Sequence, residues 1–216
     1  AVGRAFATIA TARLRRRPRL CVGYDGRLSS PELEKALVRG LKLSGAEVLC
    51  VGLGPTPMLY FAVESLGADG GVMVTGSHNP PEFNGFKLTF CGAPFWDQDI
   101  KILGNEISDG HYVEARGTVA KVSVAEDYVA RISAEYRNTV PLSVVWDVAN
   151  GAAGDVVCRL VDCLPGKHTV LNGQIDGTFP SHHPDPTVAE NLDQLISEVV
   201  THSYDVGIGF DGDGDR

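Results

Sequence analysis

A short apolar run, Gly71-Val72-Met73-Val74, opens directly into Thr75-Gly76-Ser77-His78-Asn79-Pro80-Pro81. So apolar a segment, bounded by turn residues, reads as a strand buried on both faces, and such a strand needs cover on each side of its sheet. The paired prolines lock φ and hold Ser77 on a stiff bend. A hydroxyl at the end of a buried strand, with His78, Asn79 and Lys87 close by in sequence, is a pattern for covalent chemistry. The alternative is a turn whose Ser and Asn bond only their own backbone.

The chain ends on a similar device. An apolar stretch over 206–210 runs into Asp211-Gly212-Asp213-Gly214-Asp215-Arg216. On an extended backbone the three aspartates face one side, and the glycines let the chain fold closely around an ion. Adjacent carboxylates repel, and Mg²⁺, with its preference for oxygen, relieves that repulsion. A solvated acidic turn is the plainer alternative. A calcium loop of the EF-hand kind is excluded, because it needs a closing glutamate and flanking helices.

Between these ends, strand and helix patterns alternate. Helices are expected over 2–14, 29–44, 58–66, 97–108, 126–137, 154–164 and 189–202. Strands are expected over 20–24, 47–51, 70–74, 86–90, 143–148, 168–171 and 206–210. Ser29-Ser30-Pro31-Glu32 carries a capping-box pattern, and Asp97 stands where an N-cap belongs. The alternation calls for open, mainly parallel sheets covered on both faces, with ligands beyond the carboxyl ends of the strands. The polar stretch 109–124 reads as the connection between two units, 1–115 and 125–216. In the loop 172–188, His182-His183-Pro184-Asp185 suggests zinc. Adjacent histidines on extended chain point to opposite faces, which favours a structured loop instead.

The formal net charge of −8 argues against a nucleic-acid partner, whose phosphates demand a basic surface. No apolar run approaches a membrane span, and residues 1–12 lack the pattern of a signal peptide. Five cysteines without paired spacing favour reduced thiols and a cytoplasmic location.

Taken together, Gly23-Tyr24-Asp25-Gly26-Arg27, Thr75-Gly76-Ser77-His78-Asn79-Pro80, Asn84-Gly85-Phe86-Lys87 and Gly209-Phe210-Asp211-Gly212-Asp213-Gly214-Asp215-Arg216 resemble the α-D-phosphohexomutase superfamily. Trp146-Asp147-Val148-Ala149-Asn150-Gly151 and His182-His183-Pro184-Asp185-Pro186-Thr187 are most similar to its bacterial phosphomannomutase/phosphoglucomutase branch. The resemblance runs over nearly the whole chain, in order. It implies two tandem α/β/α units, the first missing an N-terminal strand and the second truncated at its C-terminus. It implies interconversion of hexose 6-phosphate and hexose 1-phosphate, of mannose or glucose, through a phosphoserine at Ser77 and a hexose 1,6-bisphosphate intermediate.

In that scheme one Mg²⁺ is held by Asp211, Asp213, Asp215 and the phosphate of Ser77. Lys87, His78 and Arg216 handle protons and charge, and Lys87 as general base would need a lowered pKa. Arg27 steadies phosphate, with Asn79 in the same binding group. The partner is a phosphosugar and the protein a monomer. The family's site lies between four domains, so a chain supplying about two is expected to bind Mg²⁺ with little turnover. Two rival readings stand beside it: a haloacid-dehalogenase-like phosphatase with Asp211 as nucleophile, and a non-catalytic, Mg²⁺-dependent phosphosugar-binding module. A Ser-His-Asp hydrolase lacks the Gly-x-Ser-x-Gly elbow around Ser77.

Overall fold

A computed structural model describes residues 1–137 and 140–216. Helix α1 (Val2–Leu14) leads into β1 (Arg19–Tyr24), α2 (Ser30–Leu43), β2 (Glu47–Leu53), α3 (Thr56–Ser65) and β3 (Gly70–Val74). Next come β4 (Phe86–Phe90), the two-residue β5 (Ala93–Pro94), α4 (Gln98–Asp109), β6 (Thr118–Lys121) and α5 (Ala125–Ser133). The remaining elements are β7 (Leu142–Asp147), α6 (Gly154–Val161), β8 (Gly166–Leu171), a 3-10 turn (Ala189–Leu192), α7 (Asp193–His202) and β9 (Val206–Gly209).

The first sheet runs β5-β4-β3-β1-β2-β6 and the second β8-β7-β9. β1, β2, β3 and β6 are parallel, while β4 returns antiparallel on β3. β1, β2 and β3 are apolar on both faces, and alternation sorts their side chains into two layers. Leu20, Val22 and Val72 pack with Phe6, Leu37, Leu41 and Leu103 from α1, α2 and α4. Cys21, Leu49 and Met73 pack on the opposite side with Met58 and Leu59 of α3 and Val129 of α5. Val156 and Leu160 of α6 enter that second cluster, so one apolar layer joins the two units. In the second unit Val145 meets Leu195 on one face, and Val148 meets Val157 on the other.

Several details depart from the sequence pattern. β6 lies within the stretch read as a connection; all four of its residues are exposed, and an exposed edge strand shows no apolar alternation. Ser29 adopts a helical conformation and makes no side-chain cap; its Oγ instead accepts the Asn84 amide at 2.9 Å. Asp97 also fails to cap α4, because its φ of 44° turns the carboxylate toward Lys101 at 3.3 Å. The helix expected over 189–202 opens as a 3-10 turn before α7. The five cysteines are free. Among the described residues no helix is long and apolar enough to cross a membrane.

Phe6 is fully buried and meets Phe90 and Phe95 edge-on at 6.0 and 5.3 Å. Phe6→Ala is expected to lower unfolding stability by about 3–5 kcal/mol in urea melts. Replacing Trp96, which is 71% exposed, should change it by no more than about 0.5 kcal/mol.

Candidate functional site

The loop after β3 is built on a buried ion pair. Asp25 and Arg27 leave the end of β1 and both are buried. Every donor of the Arg27 guanidinium is used. Nε donates to Asp25 Oδ2 at 3.1 Å. One terminal nitrogen donates to the carbonyls of Pro80 and Phe83, and the other to those of Ser77 and Asn79. Asp25 in turn accepts the hydroxyls of Ser30 and Thr75 at 2.5 and 2.7 Å. The loop is therefore wrapped around a guanidinium. Ser77 sits at φ 51°, a left-handed conformation costing about 1–2 kcal/mol for a residue with a Cβ. The Arg27 bond to its carbonyl at 2.7 Å and the Thr75 Oγ1 bond from its N–H at 2.8 Å hold it there. With no N–H left over, Arg27 does not fit the phosphate-binding role expected of it; it shapes the loop.

From the far end of the chain, the loop after β9 closes on this one. Its backbone is turned rather than extended: the Gly214 N–H donates to the Asp211 carbonyl at 3.1 Å. That turn brings carboxylate oxygens of Asp211, Asp213 and Asp215 within 4.8 Å of one another. Ser77 Oγ donates to Asp211 Oδ2 at 2.9 Å. Lys87, on β4, reaches Asp213 and Asp215 at 2.7 and 2.6 Å and Ser77 Oγ at 3.3 Å. A Cβ on Gly212 would lie 2.5 Å from the Ser77 carbonyl, so only glycine lets the loops approach this closely.

The electrostatics are those of a site short of positive charge. Burial, then the neighbouring Asp213, push the Asp211 carboxyl above its ordinary value. Burial pulls Lys87 down, but its bonds to Asp213 and Asp215 outweigh this and leave its pKa raised. The lowered pKa that a general base requires is thus not found at Lys87. Asp213 is fully buried, and its Oδ1 has no partner among the described residues. A buried carboxylate oxygen without a donor is costly. Aspartate oxygens grouped around such an orphan are the donor set a hard divalent cation takes.

The other expected residues divide. His78 Nδ1 contacts an Arg216 guanidinium nitrogen, and Arg216 Nε lies 3.9 Å from Asp211 Oδ2, so both stand at the edge of the cluster. Asn79 is exposed and enters through its backbone, whose N–H donates to Gly76 at 3.0 Å. His182 does not gather ligands with His183 and Asp185. Its Nε2 faces Asp147 Oδ2 at 2.8 Å and its Nδ1 the His183 carbonyl at 3.0 Å. Asp211 is fully buried, and its Oδ1 accepts the Asp215 and Arg216 N–H groups, a poor disposition for the nucleophile of a phosphatase.

Two contributors escaped the sequence. Phe179 lays its ring 5.1 Å from the Arg27 guanidinium carbon, yet it comes from a Gly- and Pro-rich loop without periodicity. Thr56 contacts Asp213 with its hydroxyl; the Gly-Pro-Thr-Pro run marks a helix start but not that reach.

Arg27→Lys supplies three donors where five are used. It is expected to lower thermal stability by about 2–4 kcal/mol and to expose the loop near Ser77 to proteolysis. The Asp147 bond raises the His182 pKa above 6.5, so the stability from the charged ring is complete below about pH 6.5 and lost as pH rises through the folded value. Asp147 titrates below its ordinary 3.8, against burial, because His182 and Asn172 bond it, so its share disappears only in acid. Melts at about pH 5.5 and 8.5 should therefore show less stabilisation by acid in His182→Gln than in the unsubstituted chain.

Residues 1–114 match the model described as "Phosphoglucomutase/phosphomannomutase, alpha/beta/alpha domain I" and residues 126–216 that of domain II. The chain is 41% identical over 215 residues to a Pseudomonas aeruginosa phosphomannomutase/phosphoglucomutase, covering 100% of this chain and 46% of the relative. It is 40% identical over 200 residues to a Neisseria meningitidis phosphoglucomutase, covering 92% of this chain and 44% of the relative. A crystal structure of a phosphoglucomutase/phosphomannomutase family protein from Burkholderia thailandensis superposes with a TM-score of 0.93 at 40% identity, over 100% of this chain and 48% of that one. The chain spans about half the length of the curated relatives it matches. It belongs to the phosphoglucomutase/phosphomannomutase family.

Proposed function

We propose that this protein moves a phosphoryl group between Ser77 and the 1- and 6-hydroxyls of a hexose, glucose or mannose, through a hexose 1,6-bisphosphate. The observation that carries the reading is the 2.9 Å approach of Ser77 Oγ to Asp211 Oδ2, which sets a nucleophilic hydroxyl against a cluster built for a cation. The units 1–115 and 125–216 each supply one side of this arrangement. Asp211, Asp213 and Asp215 are the residues that would hold Mg²⁺ there, beside phosphorylated Ser77. When bound, the ion offsets phosphate charge and polarises the transferring group.

The protein's own residues then have distinct work. Arg27 fixes the bend that presents Oγ. As the sugar oxygen bonds to phosphorus and the phosphorus–Oγ bond breaks, Lys87 delivers a proton to Oγ, 3.3 Å away. The proton released by the sugar hydroxyl restores the ammonium. Lys87 is thus assigned as acid toward serine, which suits an ammonium within reach of Oγ. Arg216 and His78, in mutual contact, meet phosphate oxygens at the edge of the site. Transfer of this kind depends mainly on positioning and charge stabilisation. The relatives' names supply the sugars. A monomer belongs to the same proposal, and the free thiols support a cytoplasmic setting.

Exposure to glucose 1,6-bisphosphate with Mg²⁺, followed by intact-mass and peptide mass spectrometry, should add one phosphoryl group at Ser77 and none in Ser77→Ala. Label on Asp211, or label persisting in Ser77→Ala, would overturn the reading.

A further inference from the structure

Thr56 belongs to the first unit, at the start of α3, yet its polar groups serve the loop after β9. Its backbone N–H donates to the Asp213 carbonyl at 2.8 Å, and its hydroxyl donates to Asp213 Oδ2. The first N–H of a helix has no partner within the helix, so the carbonyl of Asp213 satisfies a donor that α3 leaves open. Thr56 and Asp213 are both fully buried.

These contacts determine how the Asp213 carboxylate lies. Oδ2 receives the Thr56 hydroxyl and the Lys87 ammonium, while Oδ1 is buried with no partner among the described residues. The carboxylate is thus turned so that one oxygen is saturated by the protein and the other is presented bare. Without the hydroxyl, the carboxylate could rotate and share the ammonium between its oxygens. Partners that orient a ligand in this way govern the affinity of a metal site as strongly as many of the ligands themselves.

We propose that Thr56 is a positioning residue for a divalent-cation site: the first unit, through this hydroxyl, holds Asp213 of the second unit in its ligating orientation. The proposal rests on the reading of the aspartate cluster as an Mg²⁺ centre. It goes further in making that centre joint property of two units, one of which supplies no aspartate to it.

The test is titration calorimetry of the chain with MgCl₂. Thr56→Val removes the hydroxyl at nearly constant shape and keeps the backbone N–H; it should weaken Mg²⁺ binding by about 10- to 100-fold. Thr56→Ser restores the hydroxyl and should bind within about threefold of the unsubstituted chain. Melting without Mg²⁺ should differ little between the two variants, which separates orientation of a ligand from general packing. If Thr56→Val does not fold, Thr56→Ala makes the same deletion with less crowding. Unchanged affinity in the folded hydroxyl-free variant, alongside one Mg²⁺ bound by the unsubstituted chain, would overturn the role of Thr56 and leave the cation reading intact. So would a Thr56→Ser variant as weak as Thr56→Val. No Mg²⁺ binding by the unsubstituted chain would overturn both.

Discussion

The guanidinium of Arg27, 1% exposed, is the constraint on which the serine loop depends. A buried cation is tolerated only when its charge and its donors are all met. Asp25 meets the charge, and four loop carbonyls with one carboxylate oxygen meet the donors. The dependence runs both ways, since the guanidinium is the donor to the carbonyls of Ser77, Asn79 and Phe83, while that of Pro80 also accepts the Phe83 N–H at 3.1 Å. The left-handed Ser77 survives because this network fixes the residues around it. On the other side the ring of Phe179 covers the guanidinium, and a Cβ at Gly177 would lie 2.4 Å from the Gly26 carbonyl. The loop that shapes the serine is also the surface on which the second unit docks.

An ion-paired lysine bridges the two loops at this point. The chain is acidic overall, and the carboxylates at 211, 213 and 215 are crowded. Of the nearby cations, Lys87 bonds two of them directly, whereas Arg216 stands at longer range. Both the raised Asp211 and the orphaned Asp213 Oδ1 express the same deficit. The site is held in a geometry that its own residues leave electrostatically incomplete, a deficit that a doubly charged cation would offset.

The amino-acid pattern carried most of the framework, for identifiable reasons. β1, β2 and β3 are apolar on both faces, and amphipathic helices between them admit few other folds. β6 was illegible because an exposed edge strand lacks that pattern. Ser29 and Asp97 show the limit of local rules: each has the right residue type for a cap, and each is drawn off by another partner. In the site, Ser77 and the aspartates announced themselves by spacing. For Arg27 the pattern marks the residue but not its setting, since sequence cannot say whether a guanidinium faces a ligand or five of its own chain's acceptors. Thr56 and Phe179 act across the boundary between units, and nothing local to either reports that contact.

The hydroxyl and the carboxylate it meets, Ser77 and Asp211, are separated by 134 positions along the chain. Contacts of such long sequence separation carry a large loop-closure entropy and form late. The parallel pairings within each unit close shorter loops, so each unit can order before the two loops meet. Because Val156 and Leu160 of α6 share an apolar cluster with Met58 and Val129, cation affinity would then register how the two sheets pack together as well as how the loops meet.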